Sequence, residues 1–311
     1  MDNTYVVTGG AGFIGSHLVE ALVEQHQGRV FVIDNLSSGY LENLANVRDQ
    51  ITFHQVDIRN REALIDVMAG ATHVFHEAAL VSVFESVDKP EYNHEVNVTG
   101  TFNVLEAART VGAKRVVLAS TSAAYGNNPD LPKRETMLPE PESPYAIGKL
   151  TGEHYMKVFA SLYGLETVVL RYFNVFGPRQ DPSSFYAGVI SKFAECFIEG
   201  QAPTIFGDGL QTRDFVFVKD VVQANLLAMQ SAAVGKGEIL NIGTSRSISL
   251  LDLVACMAEL TGKALPPIFK PERAGDVKHS CADISRARTL LEYAPQYSLK
   301  QGLQALLDSA H

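Results

Sequence analysis

The chain has 311 residues, 46% hydrophobic and 20% charged, the composition of a soluble globular protein and not of a disordered, collagenous or membrane one. At this length roughly 75% of the unfolded surface can be buried without a disulfide or metal staple, as one large α/β domain or as two lobes about a cleft. Lys and Arg number 26 against 35 Asp and Glu, a net charge of −9, which argues against a nucleic-acid partner and leaves any anionic ligand to a few local arginines.

The first residues, MDNTYVVTGG, carry no basic region or apolar stretch of secretory type, and no run approaches the ~20 apolar residues that span a bilayer. Cys196, Cys256 and Cys281 are too scattered for a disulfide framework or a zinc pattern. The expectation is a cytoplasmic protein with no membrane association and no metal.

Through the first half, β-rich runs at 4–8, 29–34, 51–55, 73–78, 115–120 and 167–173 alternate with segments of helical length such as 13–25 and 97–112. The strand runs are almost continuously apolar, as strands buried on both faces are, and the alternation predicts a doubly wound parallel α/β sheet. After Phe173 the rhythm breaks, and only DFVFV (214–218) and EILNIG (238–243) still read as sheet strands. The expected division is 1–173, rejoined by 214–243, and a smaller, interrupted lobe from 174 to 311. Five of the 13 prolines fall between Pro129 and Pro144, a stretch that cannot be regular structure and is expected to loop over the cleft.

Gly9, Gly12 and Gly15 form GxxGxxG between the first strand and the first helix. A tight turn, close approach of backbone to a pyrophosphate and close helix packing each exclude a Cβ, although glycine turns also precede many ordinary helices. Asp34 ends the second strand 19 positions after Gly15, where a carboxylate can accept bonds from adenosine ribose hydroxyls; the alternative is a turn aspartate. Asn35 follows, and no Arg or Lys stands there for a 2′-phosphate, so NAD is favoured over NADP. Asp57 can reach an adenine amino group or cap a helix ahead of Asn60.

Tyr145 and Lys149, four apart where the proline-rich loop turns helical, share one helix face. There an ammonium can lower a phenol pKa toward the working pH, although such pairs also arise by chance. Ser120, Thr121 and Ser122 close the fifth strand at the carboxyl edge, where a hydroxyl can relay a hydrogen bond between substrate and phenolate or simply cap a turn.

With TGGAGFIGSHLVEAL, DNLSSG, NVTGT, STSAAYG, SPYAIGK, RYFNVFGPRQ, GDGLQTRDFVFVKD and RAGDVKHS, the chain resembles, over essentially its whole length, the UDP-hexose 4-epimerases of the extended short-chain dehydrogenase/reductase superfamily. The resemblance implies a Rossmann NAD-binding domain and a substrate lobe. It implies catalytic Thr121, Tyr145 and Lys149, with Lys149 also on the ribose, and cofactor contacts at Phe13, Ile14, Asp34, Asn35, Asp57, Ile58 and Asn97. It further implies substrate contacts at Ser82 and Ser122, diphosphate contacts at Asn174, Arg213 and Arg273, the uracil end at Phe206 and Gly207, and a nucleotide contact at Asp276. The two arginines suit a pyrophosphate in their own right, as bidentate donors in an acidic protein. One departure is His76-Glu77-Ala78-Ala79 where the family has His-Leu-Ala-Ala, which leaves the role of Glu77 open. The other is Ser-Thr-Ser in place of Ser-Ser-Ala, which leaves Ser122 able to share the role of Thr121.

Related dehydratases and decarboxylases carry a carboxylate just after the position of Thr121; here stand Ser122 and Ala123. The elimination chemistry lacks its base, and the implied reaction is oxidation of C4 to a 4-keto sugar and reduction on the opposite face. Alternatives are epimerisation of another UDP-sugar such as UDP-glucuronate, a C4 dehydrogenase or reductase, and a non-catalytic nucleotide-binding regulator. Ser280, four residues after Asp276, leaves space beside the C2 substituent. With GPRQDPSSFYAGVISKF it gives the look of UDP-N-acetylglucosamine 4-epimerases, so UDP-GlcNAc and UDP-GalNAc are expected substrates alongside UDP-Glc and UDP-Gal. The resemblance also implies a homodimer through segments 97–112 and 149–164, with Phe102, Leu105, Tyr155 and Phe159 on outward faces or packed onto the sheet.

Overall fold

The computed structural model describes residues 3–25, 28–181, 188–272 and 277–309. The first part of the chain forms β1 (Thr4–Thr8), α1 (Phe13–Glu24), β2 (Arg29–Ile33), a 3₁₀ segment (Leu41–Gln50), β3 (Ile51–His54), α2 (Arg61–Val67) and β4 (His73–His76). The short α3 (Val83–Asp88) and α4 (Pro90–Asn93) follow, and a π-helical stretch (His94–Gly100) runs into α5 (Thr101–Thr110). Then come β5 (Arg115–Thr121), a 3₁₀ turn (Ser122–Tyr125), α6 (Pro144–Tyr163) and β6 (Glu166–Tyr172). Beyond lie β7 (Asn174–Phe176), α7 (Val189–Glu199), β8 (Thr204–Phe206), β9 (Thr212–Phe217), α8 (Val218–Gln230), β10 (Lys236–Ile242) and β11 (Ser247–Ser249). The chain closes with α9 (Leu250–Thr261), β12 (Ile268–Lys270), α10 (Ser285–Leu291) and α11 (Leu299–Asp308).

Seven parallel strands form the main sheet in the order β10-β6-β5-β4-β1-β2-β3. The order reverses between β1 and β4, and a crevice outside the carboxyl ends of the strands at such a switch point is where ligands bind in open α/β sheets. Every residue of β1 and six of seven in β5 are buried, which explains why these runs read as continuously apolar. One core packs the sheet against α1 and α8 (Leu18, Val19, Val221, Ala224), and a second packs its other face against α2, α5 and α6 (Leu64, Val104, Met156, Phe159). A third fills the C-terminal lobe around Phe193, Phe197, Leu253 and Leu303.

Two sequence expectations change. The DFVFV run pairs with β7 and β11 in a separate three-stranded sheet, because β10 already occupies the edge of β6, with Leu240 beside Leu170. Leu105 and Phe159 do not face outward: both are buried in the second core, and Phe102 packs its ring on Tyr155 at 5.3 Å. Periodicity marks an apolar stripe but not which of two stripes meets the sheet. The exposed apolar side chains of α6 are instead Ile147, Val158, Leu162 and Tyr163.

The proline-rich stretch is irregular, as its composition dictates, and it is fastened along its length. Lys133 N–H bonds to Cys281 O (2.8 Å), Asp283 N–H to Lys133 O (2.8 Å) and Glu140 N–H to Ala124 O (3.0 Å). Ser143 and Pro144 start α6, the Ser143 hydroxyl capping Ala146 N–H and Gly164 closing the helix at φ 72°. Among the described residues no helix is long and apolar enough to cross a membrane.

Candidate active site

The glycine loop between β1 and α1 is a cradle that only hydrogen side chains allow. Gly9 adopts φ +70°, and a Cβ there would lie 2.6 Å from Ala78 N; a Cβ on Gly15 would collide with Gly9 O. Gly12 begins α1 without any side-chain cap, so the first N–H groups of the helix are left for an anion. Phe13 and Ile14 turn toward the third core and tie this end of α1 to the C-terminal lobe.

Asp34 is buried at the end of β2, where its oxygens accept Ala11 N–H (3.0 Å) and Leu36 N–H (2.8 Å). It is thus a turn aspartate that fixes the loop, and each oxygen keeps a second lone pair for a ligand hydroxyl. Burial raises its pKa against those two bonds. Asn35 donates to Asp57 (2.9 Å), whose carboxylate is gripped by Arg59 through Nε (3.0 Å) and Nη2 (2.9 Å). The Arg59 guanidinium holds Asp57 at about 2, and it also reaches Glu95 (2.8 Å). These three line a hollow of about 660 Å³ with Asn60, Arg61, Glu62 and Thr99. Asn60, not Asp57, caps α2. Ile58 is buried against Gly100. Asn97 spends both amide hydrogens, on Leu80 O (2.9 Å) and Asn93 Oδ1 (2.7 Å), and accepts Leu80 N–H (3.0 Å), so it shapes the loop after β4.

At the carboxyl end of β5 the three hydroxyls part company. Ser120 points inward and donates to Glu153 (2.5 Å). Thr121 caps the following turn through Ala123 N–H (3.1 Å), and its side chain stands near enough to the Tyr145 phenol to favour its ionised form. Ser122 opens the 3₁₀ turn. Burial raises the Tyr145 phenol and the Thr121 hydroxyl opposes it. The Lys149 ammonium goes elsewhere than to the phenol: 4% exposed, it donates to Ala119 O at 2.9 Å. Burial brings Lys149 down to about 8, against the attraction of Glu77 and Glu153.

Sequence reasoning missed a buried network one turn further along α6. Glu153 takes two bonds from Arg171 (2.9 and 2.7 Å), and the Tyr125 ring lies 4.8 Å beneath the guanidinium. Its signal is the i, i+4 pair Lys149 and Glu153 with an arginine inside an apolar strand. Sequence reasoning also left His76 aside. Thr101 donates its one hydroxyl proton to Asn97 O, so His76 Nε2–H must donate to Thr101 (3.0 Å), and Nδ1 accepts from Thr8 (2.7 Å). Burial drives this imidazole down to about 3.

Across the cleft, Asn174 donates to Asp214 O (3.3 Å), and Arg213 on β9 donates to Thr212 O (3.0 Å) and Lys278 O (3.3 Å). Phe206 ends β8, and Gly207 adopts φ +87° with its N–H on Lys270 O (2.9 Å). Ser82 caps α3 through Glu85 N–H (3.0 Å). Ser280 is buried and bonded by its N–H to Thr212 O (3.0 Å), directly beside Arg213, so it is not a solvent-facing loop residue. Cys281 lines a different hollow with Leu131 and Pro132. Arg273 and Asp276 lie outside the described residues.

Residues 5–243 match the NAD dependent epimerase/dehydratase family. The chain is 42% identical over 303 residues to the UDP-glucose 4-epimerase of Mycolicibacterium smegmatis, covering 96% of this chain and 95% of that protein. Among solved structures it resembles the UDP-glucose 4-epimerase of Thermotoga maritima with UDP-glucose (TM-score 0.94, 42% identity, 99% and 98% coverage). It also resembles the UDP-N-acetylglucosamine 4-epimerase of Methanobrevibacter ruminantium in complex with UDP-N-acetylmuramic acid (TM-score 0.95, 38% identity, 99% and 98% coverage).

Proposed function

The chain belongs to the NAD dependent epimerase/dehydratase family, and we propose that this enzyme, an NAD-dependent UDP-sugar 4-epimerase, interconverts UDP-GlcNAc with UDP-GalNAc as well as UDP-Glc with UDP-Gal. The glycine cradle, uncapped α1 and Asp34 suit NAD, which when bound supplies reversible hydride transfer at C4. Tyr145 is the proposed acid/base for the C4 hydroxyl, Thr121 the hydroxyl that steadies it and Lys149 the buried cation that holds the ribose. Gly9, Gly12, Phe13, Ile14, Gly15, Asn35, Asp57, Ile58 and Asn97 are proposed to build the cofactor side. Ser82, Ser122, Asn174, Phe206, Gly207, Arg213, Arg273, Asp276 and Ser280 are proposed for the substrate side.

The carrying observation is that Thr121 ends β5 at its carboxyl edge while the buried Lys149, one turn along α6 from Tyr145, is fixed on Ala119 O of the same strand at 2.9 Å. The acetamido preference is supported by the small, buried Ser280 beside the strand of Arg213. The division at residue 173 is likewise proposed, supported by α8 packing on the main sheet and β10 completing it, while β9, at the start of the expected return over 214–243, stays with the smaller sheet. So is a homodimer, supported by the exposed stripe Ile147, Val158 and Leu162 on α6. A cytoplasmic setting is proposed from three unpaired cysteines. The test is kcat/KM on both substrate pairs side by side: activity on both supports the reading, and activity confined to the plain hexoses overturns the acetamido preference.

A further inference from the structure

Glu77 is the residue of the site that the reaction leaves unused. It follows β4, and its backbone lies against Gly9, since a Cβ on Gly9 would come within 2.9 Å of Glu77 C. In the register of the sheet His76 pairs with Leu118, so Glu77 stands level with Ala119, whose carbonyl receives the Lys149 ammonium. Its Oε1 meets Tyr172 OH at 2.9 Å, and Asn225 donates to the same phenol oxygen at 2.7 Å. Asn225 can only donate through that nitrogen, so the phenol proton of Tyr172 points at Glu77 and the carboxyl is the acceptor. The carboxylate is anchored from the side of the sheet that carries α8, while Lys149 reaches the same edge from α6.

Among the described residues, these titratable groups surround Lys149. Glu153, one turn along α6, is neutralised by its two bonds from Arg171 and by Ser120. His76, at the end of β4, is held neutral by burial. Tyr145, on α6, and Tyr172, on β6, are phenols that burial keeps protonated. Above about 7, the value to which burial raises its carboxyl, Glu77 is, among the described residues, the anion near Lys149 without a cation of its own, and the two attract one another. A buried ammonium with no such counter-charge sheds its proton.

Resting on the epimerase reading above, we propose that Glu77 is a positioning residue: anchored by Tyr172, its carboxylate keeps Lys149 charged on Ala119 O and so keeps the cofactor in place. Removing the charge while keeping the acceptor, as in Glu77→Gln, lets Lys149 lose its proton at lower pH. The alkaline limb of the pH–rate profile moves down with it, and NAD is retained less well.

The experiment is NMR titration of NAD-retaining protein carrying ¹³C-labelled lysine, with Lys149 assigned by its absence in Lys149→Arg. The Glu77→Gln variant is expected to lower the Lys149 midpoint at least one pH unit, a tenfold change, with Glu77→Asp restoring most of it. Tyr172→Phe, which keeps the carboxylate but loses its anchor, is expected to give a smaller shift in the same direction, and it serves if Glu77→Gln does not fold. A Lys149 midpoint unchanged in Glu77→Gln, or in Tyr172→Phe where that variant stands in, overturns the proposal, as does a midpoint that moves while the alkaline limb stays. Full activity in Lys149→Met would instead overturn the catalytic reading of Lys149, leaving the titration result to stand separately.

Discussion

Glu153 holds Arg171 through two hydrogen bonds of 2.9 and 2.7 Å, with both side chains only 2% exposed. This pair joins α6 to β6 directly behind Lys149. Removing one partner of a buried ion pair leaves an uncompensated charge and costs about 3–5 kcal/mol. Arg171→Met is therefore expected to lower the urea midpoint strongly, whereas a loss under about 1 kcal/mol would mean that the pair adds little to the fold.

The Thr121 hydroxyl eases ionisation of Tyr145 against burial. Thr121→Val should therefore move the acid limb of the pH–rate profile to higher pH, because the phenol then keeps its proton longer, and Thr121→Ser should restore it. Ser122→Ala should lower turnover less than Thr121→Val does. The opposite ranking would give the relay to Ser122. Tyr145→Phe should cut kcat by about 10²–10⁴-fold while NAD stays bound, read from the absorbance of the purified protein.

Much of this arrangement was legible beforehand, and the gaps have physical causes. The parallel sheet announced itself because its strands are buried on both faces, and the cradle because no Cβ fits at Gly9 or Gly15. The strand at 214–218 was visible, but its partner was not, since pairing depends on which sheet edges are already taken. Arg171 on Glu153 escaped notice because charge pairing between separate elements leaves no local pattern, and Arg59 on Asp57, only two residues apart, because it lies in a loop where no helix or strand period pairs side chains. The shared face of Tyr145 and Lys149 was right in spacing but silent on direction, and the ammonium went to Ala119 O.

His76 carries a pH dependence of stability with a definite sign. Its pKa falls from 6.5 unfolded to about 3 folded, so its stabilisation is whole above 6.5 and is lost as pH falls from there toward 3, by about 1.4 kcal/mol per unit. Glu77 is raised from 4.5 to about 7 by burial; its contribution is whole below 4.5 and fades as pH rises through 7, so the two oppose each other in the total curve. The difference between wild type and His76→Asn isolates the imidazole. That difference should shrink by about 1.4 kcal/mol for each pH unit from 6.5 to 5 in urea unfolding. A constant difference would mean that His76 is charged in the folded protein.

On α6, Leu162 is 70% and Ile147 54% exposed. If this stripe joins two copies, Leu162→Glu with Ile147→Asp should convert the particle seen by light scattering from twice 33.9 kDa to a single chain. Wild type already at the single-chain mass would rule out the dimer.

Ser280→Tyr fills the buried position beside Arg213. Overpacking against an N-acetyl group should cost the acetamido substrates about 1–3 kcal/mol in kcat/KM relative to the plain hexoses. Because both pairs are assayed on one preparation, any general damage to the fold cancels. Equal losses would remove Ser280 from the specificity account.

The central claim is C4 epimerisation by an enzyme that regenerates its own NAD, and proton NMR of UDP-GlcNAc mixed with purified protein and no added cofactor tests it most directly. The anomeric signal of UDP-GlcNAc should fall as that of UDP-GalNAc rises by the same amount, over many turnovers per protein. No interconversion of UDP-GlcNAc and none of UDP-Glc tested in parallel, or conversion that stops unless NAD is supplied stoichiometrically, would contradict it.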